Sequence, residues 1–208
     1  MTENTNKTIK KRYNRVAFLY DSMDRMMKDK WRKNLLKDVK GTVLEVGIGT
    51  GKNLPFYPEG IQLTGVDFSP KMLEKADEKV KSLDLSFPVT LKEMDIQQMD
   101  FPDDSFDYVV STCVFCSVSD PVKGLKELKR VCKSDGKIIM LEHMRSENEL
   151  LGKLMDIANP VPVSIWGANI NRKTLENIEK AGLTIEENEE LFHTIVRKLK
   201  LSPRKIHN

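Results

Sequence analysis

Three glycines and three acidic residues carry the chemistry this sequence offers. Gly47, Gly49 and Gly51 alternate in TVLEVGIGTGKN (42–53), directly after a run of Val, Leu and Val. Glycine takes positive φ without steric penalty and lets a ligand lie against the main chain. A helix start beyond such a turn offers N–H groups to a carboxylate or phosphate. A dinucleotide fingerprint needs a third glycine where Lys52 stands, and a P-loop needs Ser or Thr after its lysine, where Asn53 stands. What remains is Glu45-x-Gly47-x-Gly49-x-Gly51. Asp67 follows Gly47 by twenty residues, a position from which a carboxylate accepts both hydroxyls of a ribose. Asp95 is the third acidic residue, placed to accept from an exocyclic amine. Three carboxylates without an Arg or Lys fork for phosphate suit a cationic nucleoside better than a diphosphate.

These residues need a frame that brings them to one edge. TVLEVGI (42–48), residues 61–68, 89–96, 105–115 and 137–143 read as buried strands, because their apolar residues do not strictly alternate with polar ones. Ser69-Pro70 caps and opens a helix, and Asp120-Pro121 opens another that runs to Gly136. Residues 171–182 form a third helix, and two strands close the chain. Phe18, Leu19, Met23, Met26, Met27, Trp31 and Leu35 recur at helical spacing near the N-terminus. Residues 146–170 hold Leu, Met, Pro and Trp without a clear period. Strands alternating with helices specify an α/β fold, a parallel sheet with helices on both faces. Ligands bind such sheets outside the carboxyl ends of the strands, where Glu45, Asp67 and Asp95 fall.

The 208 residues suit one domain, with 1–40 as an N-terminal helical lid, 41–208 as the binding domain and 146–170 as a substrate-covering segment. The N-terminus lacks the apolar centre of a signal peptide, so a cytoplasmic location with reduced cysteines is expected. Residues 7–33 hold ten Lys/Arg against three Asp. Such a segment is either a solvated helix face or a peripheral contact with an anionic membrane.

LEVGIGTG, GVDFSPKML, MDIQQMDFPDDSFDYVV and LKELKRVCKSDGKIIMLEH together resemble the successive motifs of class I S-adenosylmethionine-dependent methyltransferases, over roughly residues 13–145. YDSMDRMMKDKWRKNLL is similar to the opening of quinone and phospholipid methyltransferases. STCVFCSVSDPVKGLKELKRVCKSDGKIIMLEHM and WGANINRKTLENIEKAGL resemble thiol methyltransferases. The resemblance implies an α/β, Rossmann-like fold with a seven-stranded, mostly parallel sheet whose last strand is antiparallel, and S-adenosylmethionine as cofactor. It implies that Glu45, Gly47, Ile48, Gly49, Gly51 and Asn53 face the methionine end, and that Asp67 holds the ribose. Phe68 and Met72 would flank adenine, Asp95 and Ile96 would meet its amine edge, and Cys113 and Val114 would lie under the sulfonium. Tyr20 would be either a core residue or an aromatic face beside the sulfonium.

Several residues have plainer readings. Cys113-x-x-Cys116 ends a strand and has no second ligand pair, so packing is expected rather than metal or redox chemistry; Cys132 stands alone in a helix. His143 is a satisfied polar residue or a general base. The expected function is methyl transfer to a small, largely apolar acceptor: a thiol, a quinol or a phospholipid head-group. The alternatives are a cofactor-binding module without catalysis and a nucleic-acid methyltransferase. The latter is disfavoured because CVFC stands where an N-P-P-Y-like tetrad would be. The oligomeric state is left open.

Overall fold

The structure is a computed structural model that describes residues 27–204; Tyr20 and most of the basic segment lie outside the described residues. Seven strands form one sheet in the order β3-β2-β1-β4-β5-β7-β6. They are β1 (Thr42–Val46), β2 (Gln62–Asp67), β3 (Val89–Glu93), β4 (Phe106–Thr112), β5 (Cys132–His143), β6 (Thr184–Phe192) and β7 (Val196–Ser202). All neighbours are parallel except β7, which inserts antiparallel between β5 and β6. The order reverses between β1 and β4, and this reversal opens a crevice at their carboxyl ends.

Two apolar layers sandwich the sheet. α1 (Asp29–Leu36) lies on one side, where Trp31, Leu35 and Leu36 pack with Val43, Ile139 and Leu141. Residues 27–39 are thus part of the sheet's own core. α3 (Pro121–Val131) and α6 (Thr174–Lys180) lie on the other, where Leu125, Leu128 and Ile178 pack with Leu44, Val109 and Met140. α2 (Pro70–Ser82) starts as its sequence requires: the Ser69 hydroxyl accepts from Met72 N and Pro70 fills the first turn. Asp120 caps α3 by accepting from Lys123 N.

Two elements differ from their sequence reading. The helix expected over 120–136 ends at Val131, and Cys132 is the first residue of β5, not a helical residue. Gly136 is not a helix terminator. It sits in a bulge of β5, where Phe106 pairs with Cys132 and Tyr108 with Lys137. A Cβ there would lie 2.8 Å from Asp107 O and 2.9 Å from Cys132 Sγ. The regular ladder starts at Lys137, where the strand was expected. Residues 146–170, without a legible period, form α4 (Glu149–Ala158), capped by Asn148, and α5 (Pro160–Trp166), ended by Gly167 at φ 78°.

The loop between β3 and β4 is clamped by Arg130 at the end of α3. Its guanidinium donates to Met99 O and Phe101 O at 2.8 and 2.7 Å, and pairs with Asp103 and Glu127. A lysine cannot reproduce this fork. Arg130→Ala and Arg130→Lys are each expected to lower unfolding free energy by about 1–3 kcal/mol. Urea denaturation checks this; a fully stable lysine variant contradicts it.

Candidate active site

Glu45, the last residue but one of β1, is 2% exposed and lies on the wall of the crevice. Tyr57 OH donates to its Oε2 at 3.0 Å and Asn53 Nδ2 donates to its Oε1 at 2.8 Å. Asn53 also donates to Thr112 Oγ1 at 3.0 Å, and its own Oδ1 accepts from Arg32 Nη1 at 2.8 Å. Burial pushes Glu45 up to about 7, against the lowering by Tyr57, Asn53 and Arg32.

β2 ends in Asp67. Its Oδ2 accepts from Gly49 N at 3.0 Å and its Oδ1 from Ser69 N at 2.9 Å. These bonds tie the glycine turn to the start of α2, while burial raises Asp67 to about 6. The glycines do separate work. Gly47 has φ 62°, and a Cβ on it would meet Val114 Cγ2 at 2.5 Å. Gly49 has φ 57° and would meet nothing nearer than Gly47 O at 3.9 Å, so its open side belongs to the cavity. Gly51 lies off the cavity wall and makes room for Leu54.

Asp95 follows β3 in a turn. Gln97 N and Gln97 Nε2 donate to it, while Gln97 Oε1 accepts from Ser119 Oγ and Asp120 N. Gln97 therefore fastens Asp95 to the start of α3. After β4 the chain turns at Cys113, whose φ of 55° is left-handed. Glu142, fully buried, accepts from Ser111 Oγ at 2.7 Å and from Val114 N at 3.1 Å, and holds this turn in place.

These strand ends and turns surround one concave cavity at the carboxyl edge of the sheet. Glu45, Gly47, Ile48, Gly49, Asp67, Phe68, Met72, Asp95, Ile96, Cys113 and Val114 all line it. Asn53 stands behind the wall, between Glu45 and Arg32. His143 ends β5 opposite Val196, is 8% exposed and is not among the wall residues. Burial alone lowers it to about 4, so it is neutral at pH 7. Cys113 and Cys116 lie in the turn beyond β4 rather than on the strand, and Cys116 Sγ donates to Cys113 O.

Arg32 and Gln97 are wall residues that the sequence reading did not single out. Arg32 had a signal: it shares a helical face with Leu35 and Leu36 at i+3 and i+4. A charge on an apolar face is there for a reason other than solvation. Gln97 had none, because its role depends on contacts with residues 22 and 23 positions away.

The profile of a family described as "Methyltransferase domain" matches residues 44–140. A phosphatidylethanolamine N-methyltransferase of Cereibacter sphaeroides is 42% identical over 103 residues, covering 50% of this chain and 51% of that one. A thiol S-methyltransferase of Homo sapiens is 31% identical over 182 residues, covering 80% of this chain and 72% of that one. The chain belongs to the S-adenosylmethionine-dependent methyltransferases. It spans from about half to under three quarters of these relatives' lengths. In fold it is similar to a crystal structure of a SAM-dependent methyltransferase, possible histamine N-methyltransferase, from Thermotoga maritima. The TM-score is 0.67 at 19% identity, covering 93% of this chain and 99% of that one.

The cavity's donor and acceptor set fits S-adenosylmethionine. Three acidic residues from successive strand ends line it, Arg32 and Lys52 are cations among the described wall residues, and Gly49 leaves open room beside the turn. The buried acid behind the Cys113 turn also makes stability depend on pH. Burial raises Glu142 to about 7. Its stabilising contribution is fully present below the unfolded value near 4.5 and is lost as pH rises through about 7. Glu142→Gln keeps an acceptor for Ser111 and Val114 without the ionisation. Relative to the native chain, this variant is expected to gain stability between pH 5 and 7.5, by up to about 3 kcal/mol. Melting curves across that range check it; a difference independent of pH contradicts it.

Proposed function

We propose that the chain transfers the methyl group of S-adenosylmethionine to a small, largely apolar acceptor with a soft nucleophile, a thiol first among them. The observation that carries this reading is the meeting of Glu45, Asp67 and Asp95, from three successive strand ends, on one cavity wall with Arg32. In this reading Asp67 accepts the ribose hydroxyls with the lone pairs that Gly49 N and Ser69 N leave over. Asp95, fixed by Gln97, accepts the adenine amine. Phe68, Met72 and Ile96 flank the base. Glu45 faces the ammonium end and Arg32 the carboxylate end of the methionine portion.

The cofactor supplies an electrophilic methyl on a cationic sulfur. The chain's part is to hold that end against the Gly47–Gly49 turn and the Cys113–Val114 turn, and to exclude water above it. Met94, Val118 and the apolar side chains of the wall give the acceptor a dry approach. A thiol loses its proton near neutral pH without a strong base. His143 is neutral and stands off the described wall, so an acceptor that ionises unaided is favoured over a phenolic carbon. The thiol methyltransferase relative supports the same choice, and the phosphatidylethanolamine methyltransferase relative makes an amine head-group the second reading.

The test is methyl transfer by the native chain and Asp67→Ala to hydrophobic thiols, quinols and phosphatidylethanolamine, with cofactor affinity measured alongside. Thiol products are expected. Loss of a charge-assisted bond worth about 1.5–3 kcal/mol is expected to weaken cofactor binding at least about tenfold in Asp67→Ala. Native affinity is expected to fall as pH drops below about 6, where Asp67 becomes neutral. Turnover on quinols or phosphatidylethanolamine alone overturns the thiol assignment, and unchanged affinity in Asp67→Ala overturns the role of Asp67.

A further inference from the structure

Seven large hydrophobic side chains are exposed among the described residues. Five of them, Leu150 (72%), Leu154 (55%), Ile157 (78%), Val161 (60%) and Ile165 (45%), lie on the α4–α5 pair. Their spacing of 4, 3, 4 and 4 residues places them in one stripe. The inward side of the pair is slight: Gly152 and Met155 are the buried residues of α4. A sixth, Phe192 (48%), sits at the end of β6, at the same carboxyl edge of the sheet. Six of the seven are thus gathered at the edge where the cavity opens, and the seventh, Ile185, lies near the start of β6. Asn169, just beyond α5, donates to Cys116 O, next to the wall residues Ser117 and Val118.

We propose that this edge docks on an anionic phospholipid bilayer, with the α4–α5 stripe lying in the interface and the cavity mouth beside it. Three features favour this occupant. No charged residue occurs from Ile157 to Ile170, and the charges on α4 are neutralised in the pairs Lys153–Glu149 and Arg145–Asp156. The stripe is aliphatic, whereas the energetic anchors of protein interfaces are mainly Trp, Tyr and Arg, and a stable interface takes roughly 20–30 residues a side. The basic segment 7–33 supplies the complementary charge: ten Lys/Arg against three Asp. It runs into α1, where Lys28 and Lys30 are exposed and Arg32 reaches the cavity wall. The chain therefore carries both an apolar stripe and a cationic segment, the two signals that stable interfacial binding requires.

The inference does not depend on the identity of the methyl acceptor, and it is tested by binding alone. The full-length chain is mixed with vesicles of phosphatidylcholine, and of phosphatidylcholine with phosphatidylglycerol, and bound protein is sedimented at low and high salt. Binding is expected to the phosphatidylglycerol vesicles and to weaken with salt. The double variant Leu154→Glu/Ile157→Glu, and separately Val161→Glu, are each expected to lower partitioning at least about tenfold with unchanged melting temperature, since all three side chains are exposed. A chain starting at residue 27 keeps the stripe and is expected to bind more weakly through loss of the basic segment. Absence of native binding, or native-like binding by both stripe variants, overturns the proposal. So does a native dimer in light scattering that the stripe variants dissociate, which assigns the stripe to a second copy. So does stronger vesicle binding by the truncated chain, which assigns it to residues 1–26.

Discussion

The structure depends on keeping one carboxylate at the end of a buried strand. A buried charge without partners costs several kcal/mol, and Glu45 sits at the end of a central strand with almost no exposure. Tyr57 and Asn53, from the segment after the glycine turn, donate to it directly, and Asn53 in turn bonds Thr112 at the end of β4 and Arg32 on α1. These contacts decide where α1 can lie and how near β1 and β4 stand at the point where the strand order reverses. The same network carries both signs of charge, which an amino-acid end of a ligand requires.

The other two acids repeat the arrangement with backbone partners. Asp67 is braced by Gly49 N and Ser69 N, so the glycine turn and the start of α2 move together. Asp95 is braced by Gln97, which is itself held at the start of α3. On the opposite side, Glu142 holds the Cys113 turn in a left-handed conformation, and Val114 fills the space that Gly47 leaves. Each wall of the cavity is thus fixed by a buried polar group bonded across two elements. Such preorganisation is what a displacement reaction in a dry site asks of its protein.

Much of this was legible in the sequence, and the exceptions have physical causes. Strand ends could be read because a parallel sheet covered on both faces leaves apolar runs that stop where ligands bind, and Glu45, Asp67 and Asp95 fall just there. The boundary between α3 and β5 could not. Cys132-Lys-Ser-Asp-Gly136 continues a polar, helix-like pattern, while the close approach of Asp107 that requires Gly136 is a tertiary fact. The α4–α5 pair escaped because its apolar stripe faces outward, so the pattern does not read as a core-facing helix. Arg32 was marked by its place on the apolar face of α1, but its partner, 21 positions away, was not legible. His143 was picked out by its place at a strand end, but the direction of its side chain is set by the pairing of β5 with β7.

The acidic strand ends are expected to select a cationic nucleoside over a phosphate-bearing one. The direct measurement is isothermal titration calorimetry of the native chain with S-adenosylmethionine, its demethylated product, NAD and ATP under one set of conditions. One-to-one binding of the first two, with no heat from NAD or ATP, is the result predicted. Saturable binding of NAD or ATP without binding of S-adenosylmethionine would contradict it.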